Sequence, residues 1–234
     1  MNLLSADDLT AIALSLRVAS TATVVVLPLA FFCALALARG RFAGRSLLDA
    51  LTSLPLILPP VATGYALLAL LGREGPIGAV LARMGVQLAF HWTGAAVAAG
   101  IMAFPLMVRP IRLSIEAIDQ EVEESAVTLG AASWTRLARI TLPLAAPGLL
   151  AGVLLGFAKA LGEFGATITF VGAIPGETLT LPAAIYASTQ SPGDEAHTLA
   201  LCGVAAAIAV AAVLISNALA GRASRWSARS APNP

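Results

Sequence analysis

The sequence carries little charge. Charged residues make up 12% of its 234 positions and hydrophobic residues 58%, whereas a soluble domain usually carries about 25% charged residues. A soluble protein this apolar would lack the polar surface needed to cover itself, so the composition predicts an integral membrane protein. The formal net charge of +1 shows no basic footprint for nucleic acid. No tract is long enough to be a linker, so we expect one domain over residues 1–234.

Residues that carry chemistry are also scarce. The two cysteines, Cys33 and Cys202, lie in long apolar runs without a partner at metal-ligand spacing, so we expect two small buried hydrophobes. The two histidines, His91 and His197, complete no catalytic constellation and are interpreted as interfacial polar residues. No phosphate-binding G-x-x-x-x-G-K-[ST] loop is present, and the single lysine, Lys159, lies in an apolar run. We therefore expect no enzyme activity, no metal and no cofactor bound by this chain.

Five segments are apolar enough over about 20 residues to cross a bilayer as helices. They cover about residues 10–38, 47–71, 88–108, 142–161 and 199–220. A sixth apolar segment, 166–187, is interrupted by two prolines, a glycine and a glutamate between positions 175 and 182. We expect it to be an external loop or a broken, re-entrant segment held against protein, because irregular backbone survives at membrane depth only there. The predicted fold class is an all-α integral membrane protein with five spans.

Arginine placement predicts the orientation. The connections between spans one and two and between spans three and four, together with the tail, carry ten arginines. These are Arg39, Arg41, Arg45, Arg109, Arg112, Arg136, Arg139, Arg222, Arg225 and Arg229. The opposite side has only Arg73 and Arg83. Because basic residues favour the cytoplasmic side, we expect the N-terminus outside the cell membrane and the C-terminus in the cytoplasm.

The connection between the third and fourth spans, about residues 116–140, is the longest on the cytoplasmic side. Asp119 is suited to cap a helix N-terminus, and acidic residues follow it in the first turns. Gly130 fits a left-handed helix stop, and Ser133 can cap a second short helix before Pro143. The pattern predicts two short helices joined at a glycine corner.

Apolar residues in this connection favour a docking surface. Val122, Ala126 and Leu129 recur at i, i+4 and i+7 and predict one narrow apolar stripe. Trp134 adds an aromatic side chain to an otherwise charged loop. The alternative is a solvated hairpin that binds no partner.

The same connection resembles the EAA loop of ABC-importer permeases. The family pattern is Glu-Ala-Ala, three residues, Gly, nine residues, Ile, one residue and Leu-Pro. The matching positions are Glu124, Ser125, Ala126, Gly130, Ile140, Leu142 and Pro143, with Ser125 in place of the first alanine. The resemblance implies the fold of type I ABC importer permeases, in which this coupling loop sits in a cleft of a separate ATP-binding subunit.

Three further stretches, residues 54–65, 160–167 and 174–182, are similar to molybdate permeases. Sulfate/thiosulfate and tungstate permeases share less of these stretches, so the resemblance implies molybdate as the transported anion and leaves the related oxyanions as the alternative. It also implies a homodimer in a bacterial inner membrane, two ATP-binding cassette subunits that use ATP, and a periplasmic molybdate-binding protein. The rival from another class is a channel or membrane scaffold without an ATPase partner.

Small residues and prolines in the spans are candidates for the translocation path or for helix packing. Gly148, Gly152 and Gly156 recur at i, i+4 and i+8 and allow another helix to approach closely. This stripe fits a packing seam and a pore lining equally well. Pro59 and Pro60 remove helix hydrogen bonds and predict a kink in the second span, static or gating.

One pair of charges falls inside the fourth span. Lys159 and Glu163 lie at i, i+4 near its outer end, and charged groups in membrane spans are costly and often functional. One hypothesis places Lys159 on the anion path, with Glu163 offsetting its charge in the empty state. The other has Lys159 reaching the outer interface while it pairs with Glu163.

Overall fold

The computed structural model describes residues 4–229, without the side chains of positions 216, 217 and 219–229, and it contains no strand over those residues. The helices, in chain order, are α1 (Ala6–Arg39), α2 (Arg45–Ile57), α3 (Pro60–Leu71), α4 (Gly78–Arg83), α5 (Trp92–Glu116), α6 (Gln120–Thr128), α7 (Ser133–Arg136), a π-helical turn (Leu137–Thr141), α8 (Leu142–Leu144), α9 (Ala146–Leu161), α10 (Gly165–Val171), α11 (Leu181–Thr189) and α12 (Glu195–Arg229). The predicted all-α membrane fold is confirmed.

Three helices, α1, α5 and the Glu195–Ile215 part of α12, are long and apolar enough to cross a membrane by themselves. Two bent pairs, α2 with α3 and Ser133–Leu144 with α9, bring the number to five if each pair is one span. The helix α5 extends to Glu116, eight residues beyond the predicted end of the third span. It continues because Arg112 donates to Glu116 one turn later, over 2.8 Å, so that the charges at its end pair with each other.

The second apolar segment is not one straight helix. The chain leaves the helical conformation at Leu58 and Pro59, and α3 starts afresh with Pro60 as its first residue. The axes of α2 and α3 differ by 111°. The kink predicted at Pro59 and Pro60 is therefore a complete break, because two adjacent prolines remove two consecutive backbone donors.

The helix α5 lies at the centre and packs against both α1 and α9, which also contact each other. Its buried side chains include the alanines Ala95, Ala98, Ala99 and Ala103, all fully inaccessible. Side chains this small let the neighbouring helices approach closely. By contrast, only 6% of the apolar window of α12 is buried within the chain, which leaves most of that helix facing lipid or another subunit.

The interrupted sixth segment forms α10 and α11, joined by residues 172–180. Thr178, fully buried, accepts a hydrogen bond from the Ile174 N–H (2.9 Å) and donates one to the Val171 carbonyl (3.2 Å). The Leu181 N–H donates to Ser15 Oγ of α1 (2.6 Å). The irregular backbone is thus satisfied by buried groups of the same chain, as membrane depth requires.

Two expectations about individual side chains need comment. Cys33 is half-buried, but Cys202 is exposed on α12, so the prediction of two buried cysteines is wrong for the second. The reason is that α12 packs along one edge only, and an apolar helix surface in a membrane need not be covered by protein. The tail arginines Arg222, Arg225 and Arg229 lie outside the described side chains.

Candidate functional site

Residues 117–144, which we name the coupling segment, follow α5 and lead into α9. The helix α6 begins after Asp119, whose Oδ1 accepts the Glu121 N–H over 3.0 Å. At the other end of α6, the Gly130 N–H donates to the Val127 carbonyl (2.9 Å) and the Ala131 N–H donates to the Ala126 carbonyl (2.9 Å). This pair of hydrogen bonds is a Schellman motif, which requires a residue in the left-handed region.

Gly130 occupies that position with a φ of +79° and marks the predicted corner between the two helices of the coupling segment. After the corner, α7 begins at Ser133 with Ala132 as its N-cap, so Ser133 does not cap the second helix as predicted. The helix then continues through the π-helical turn and α8 as far as Leu144 instead of ending before Pro143.

A single carboxylate, that of Glu123, anchors α6 to the rest of the protein. Its Oε2 lies 3.3 Å from Arg39 Nε at the end of α1, a contact that is electrostatic because the geometry does not make a hydrogen bond. Its Oε1 accepts a hydrogen bond from the Thr141 hydroxyl over 3.1 Å. Arg39 also donates to the Ile118 carbonyl over 2.9 Å. One side chain therefore joins α1, α6 and the turn that leads into α9.

The matched loop pattern contains the neighbouring Glu124 and not Glu123. Glu124 is exposed and has no ion-pair partner among the described residues. Glu123 shares a helix face with Ala126, three residues later, and Ala126 is the buried residue of α6. That spacing was the available signal, because a carboxylate on the buried face of a short helix must find a partner.

The apolar residues of the coupling segment do not form the predicted stripe. Ala126 is 9% exposed and faces the protein, whereas Val122, Val127 and Leu129 are exposed, Leu129 by 87%. Trp134 is 71% exposed. Apolar patches on an otherwise polar surface are typical of an interaction site, and these four exposed side chains are large and apolar. The docking interpretation therefore rests on Leu129 and Trp134 rather than on a stripe through Ala126.

The other residues of the matched loop pattern lie mostly at the surface. Glu124, Ser125, Gly130, Leu142 and Pro143 are exposed, and Ile140 is half-buried. Residues this accessible contribute little to the core of the chain. They lie on both sides of the corner at Gly130.

The glycine stripe of α9 is a packing seam within this chain. Gly148, Gly152 and Gly156 are all buried and face α5. A Cβ added at Gly148 would lie 2.5 Å from the Pro110 carbonyl oxygen, and one at Gly156 would lie 2.5 Å from Met107 Cγ. The face that carries the glycines is thus filled by α5, so it does not line a pore in this subunit.

The Lys159–Glu163 pair forms as the sequence spacing predicted, with Lys159 Nζ bonded to Glu163 Oε2. Glu163 is 2% exposed, and its Oε1 also accepts the Ala166 N–H at the start of α10 over 3.0 Å. The Lys159 side chain keeps 27% of its surface. Glu163 is therefore a buried carboxylate that holds the start of α10, and Lys159 is a partly exposed cation that pairs with it.

Two of the three stretches similar to molybdate permeases contact each other. The start of α3 packs against the start of α10, and glycines make room for the approach. A Cβ at Gly64 would lie 2.5 Å from the Ala166 carbonyl oxygen, and one at Gly165 would lie 2.7 Å from Pro60 Cβ. Residues 54–65 and 160–167 thus form one structural unit around the break in the second span.

Among the described residues, no group of three or more histidine, cysteine, aspartate or glutamate side chains is placed to hold a metal ion. The expectation that this chain binds no metal and no cofactor stays a prediction.

A family model described as binding-protein-dependent transport system inner membrane component matches residues 26–231. Similar curated proteins include the molybdenum transport system permease protein ModB of Escherichia coli K12, 50% identical over 211 residues that cover 90% of this chain and 92% of that protein. The ModB of Haemophilus influenzae is 50% identical over 216 residues, covering 92% and 94%. The sulfate transport system permease protein CysT of Escherichia coli K12 is 40% identical over 154 residues, covering 66% and 56%.

Solved structures share the fold at low sequence identity. A bacterial ABC transporter involved in the import of the acidic polysaccharide alginate matches with a TM-score of 0.75 and 20% identity, covering 94% of this chain and 80% of the other. An amino acid ABC transporter with histidines matches with a TM-score of 0.64 and 16% identity, covering 92% and 94%.

Proposed function

The chain belongs to the family of binding-protein-dependent transport system inner membrane components, and from that membership we propose that it is the membrane-spanning permease subunit of an ATP-driven molybdate importer. The observation that carries the substrate is the 50% identity to molybdenum transport permeases over nine-tenths of the chain. Support from the fold is general, because the structural neighbours import other substrates.

In this proposal the coupling segment docks on a separate ATP-binding subunit. Leu129 and Trp134 supply exposed apolar surface, and a few desolvated residues, often tryptophan, carry most of the binding energy in protein interfaces. Glu123 would carry movement of the docked segment to α1 through Arg39 and towards α9 through Thr141. Closing of the ATP-binding subunits would then change the side of the membrane to which the pathway opens.

The remaining parts of the assembly follow from the same proposal. Two copies of this chain would enclose the pathway, two ATP-binding cassette subunits would hydrolyse ATP, and a periplasmic molybdate-binding protein would deliver the anion. This chain would act as a permease without its own catalytic site or cofactor. Its N-terminus would lie in the periplasm and its C-terminus in the cytoplasm, as the arginine distribution favours.

The permease itself would bind the anion weakly. An importer must release a dianion inward, and a deep basic pocket would trap it. The one lysine in the spans, Lys159, is already paired with Glu163. Isothermal titration of molybdate into the isolated permease dimer should show no tight binding, and nanomolar affinity there would contradict the proposed division of labour between the binding protein and the permease.

Docking is tested by cross-linking in the assembled transporter. Cysteine introduced at Ala131, beside the glycine corner, should form a cross-link with the ATP-binding subunit. Ser191→Cys is the control, because Ser191 is at least as accessible as the half-buried Ala131 but lies on the opposite side in the proposed orientation. Absence of a cross-link at Ala131, or equal cross-linking at both positions, would refute the docking surface.

The substrate is tested in proteoliposomes with the cognate binding protein and ATP-binding subunit. Molybdate uptake should be ATP-dependent and resist competition by sulfate. A sulfate permease is the second candidate, favoured by the 40% identity to a sulfate transport permease over part of the chain, and a tungstate permease is the third. Uptake that does not require ATP would instead indicate a channel.

A further inference from the structure

A cleft of about 710 Å³ opens between the end of α1, the connection to α2 and the coupling segment. Cavities that hold drug-sized ligands have volumes of about 300–1,000 Å³, so the cleft is large enough for a small polar group with part of an apolar tail. Its walls carry four arginines, Arg39, Arg41, Arg45 and Arg136. Two glutamates, Glu123 and Glu124, also reach it.

The four arginines divide into two that are engaged and two that are available. Arg39 contacts Glu123 and the Ile118 carbonyl. Arg45 donates to the Leu37 carbonyl over 2.9 Å. Arg41 and Arg136 have no ion-pair partner within the part of the chain that the structure describes.

The charge of Glu123 is already balanced by Arg39. Glu124 balances only one of the two available arginines, so the cleft has a net positive charge. Guanidinium groups bind phosphate through paired N–H donors.

The cleft lies where α1 leaves the membrane. Leu35 and Ala38 line it from the last turns of α1, a helix apolar enough to span the bilayer, so one wall is continuous with the apolar surface of the span. Trp134 lines the cleft. Tryptophan and other amphipathic aromatics gather at the level of lipid headgroups.

We propose that this cleft binds the phosphate of an anionic phospholipid headgroup through Arg41 and Arg136, with the acyl chains lying along the end of α1. The lipid would then contact the coupling segment beside its Glu123 anchor, so that the bilayer stabilises the position of that segment. The inference needs only that α1 spans the membrane and is independent of which anion is transported. The proposed orientation decides the leaflet, which would be the cytoplasmic one.

A segment of the ATP-binding subunit is the other conceivable occupant. The lipid is favoured because the cleft is walled by the membrane-spanning α1. Of the two docking residues, Trp134 lines the cleft and would be shared between the lipid and the ATP-binding subunit, whereas Leu129, the most accessible apolar side chain of the coupling segment, does not line it. A soluble phosphate ion would use the same arginines but would leave the apolar wall uncovered.

Native mass spectrometry of the delipidated transporter, purified with its ATP-binding subunits, tests the proposal. Dioleoyl phosphatidylglycerol should bind more tightly than dioleoyl phosphatidylcholine. The double variant Arg41→Gln/Arg136→Gln should weaken phosphatidylglycerol binding roughly tenfold or more, since each basic residue near a membrane surface contributes to the attraction of anionic lipid. Arg73→Gln/Arg83→Gln removes the same charge at other connections and should leave that binding unchanged.

Three outcomes would overturn the inference. One is equal binding of the two lipids, which is also the result expected if the ATP-binding subunit fills the cleft. Another is an equal loss in both double variants, which would indicate general charge attraction. The third is displacement of the bound lipid by millimolar inorganic phosphate, which would identify a free-anion site. Thermal unfolding of each variant in detergent confirms that the folded complex is being compared, and molybdate uptake, measured separately, bears only on the proposed function.

Discussion

The coupling segment connects α5 to α9, and it differs in construction from the seam in which those two helices pack against each other. In the seam, Gly148 and Gly156 bring α9 so close to α5 that no added carbon fits. In the coupling segment, a Cβ at Gly130 would meet nothing within 4 Å, and the side chains of Leu129 and Trp134 are largely exposed. The seam is completed by the chain itself, whereas the coupling segment leaves apolar surface for something else to cover.

Because of this difference, substitutions in the seam should damage the fold, whereas substitutions in the coupling segment should mainly damage the transfer of movement from the ATP-binding subunit to the spans. The seam relies on backbone proximity, which a single methyl group disrupts. The coupling segment relies on one carboxylate and on a left-handed corner, and its exposed tip contributes little to folding.

Gly148→Ala should destabilise the chain most, by about 3 kcal/mol, because overpacking a close contact costs about 1–3 kcal/mol and sometimes more. The new methyl would meet the backbone oxygen of Pro110 at 2.5 Å, and it would also meet Ser114 Cβ. Neither atom can rotate away, so the two helices must separate. Thermal unfolding in detergent, together with the amount of folded protein in the membrane, measures the loss.

Two glycine variants serve as controls for the seam. Gly152→Ala places its methyl 3.1 Å from Ile111 Cγ1 and 3.1 Å from the Met107 carbonyl oxygen, and it should be milder because both distances exceed the 2.5 Å approach at Gly148. Gly203→Ala lies in α12, where nothing stands within 4 Å of the new methyl, and alanine favours helix over glycine by about 0.5–1 kcal/mol. If Gly203→Ala destabilised the protein as much as Gly148→Ala, the seam would not be the cause.

Glu123→Gln should have the next largest effect, about 2 kcal/mol on local stability of α6, because hydrogen bonds to charged groups contribute about 1.5–3 kcal/mol. The amide would lose the attraction of Arg39 and keep only a weaker contact with Thr141. Hydrogen exchange of α6 should quicken, and transport should fall while ATP hydrolysis by the complex persists.

Glu124→Gln is the matched comparison for Glu123→Gln, since it changes the same chemistry one residue away on the exposed side of the helix. It should leave the exchange of α6 unchanged. Equal exchange rates in the two variants would mean that Glu123 does not anchor the segment.

The fold class and the glycine corner could be predicted from sequence because both depend on local patterns. Apolar runs of about 20 residues indicate spans, and an isolated glycine between two amphipathic stretches indicates a left-handed stop. The break between α2 and α3 was predicted only as a kink. Proline shows where hydrogen bonds are lost, but the 111° angle depends on the packing of α3 against α10.

The spacing to Ala126 marks Glu123 as a residue that needs a partner, but the partners themselves could not be predicted because they are distant in sequence. Arg39 lies on α1 and Thr141 in the π-helical turn, and no spacing rule links positions 39, 123 and 141. Gly64 and Gly165 are a similar case, since each is needed for a contact that exists only after α3 and α10 have packed. Sequence patterns locate helices and corners, whereas the pairing of helices requires tertiary structure.

Gly130→Ala should cost about 1 kcal/mol, because a side chain disfavours the left-handed conformation by roughly 1–2 kcal/mol. The φ of +79° creates this cost, since nothing stands near the added methyl. Gly130→Asn should cost less, because asparagine tolerates this conformation. Hydrogen exchange at Ala131, whose N–H closes the Schellman motif, reports the change, and equal exchange in the two variants would argue against backbone strain.

Leu129→Ser should have the smallest effect on stability, within about 0.5 kcal/mol, the usual range for surface substitutions. The side chain is 87% exposed, so its loss removes almost no contact within the chain. Binding of the ATP-binding subunit, measured by co-purification and by ATP-dependent uptake, should nevertheless weaken several-fold. A side chain whose contacts are all with the partner contributes to binding and not to folding. Val210→Ser, an exposed apolar residue of α12, is the control and should retain the ATP-binding subunit. If the Leu129→Ser transporter assembled and transported normally, Leu129 would not contact the ATP-binding subunit, and the proposed contrast between the coupling segment and the seam would fail.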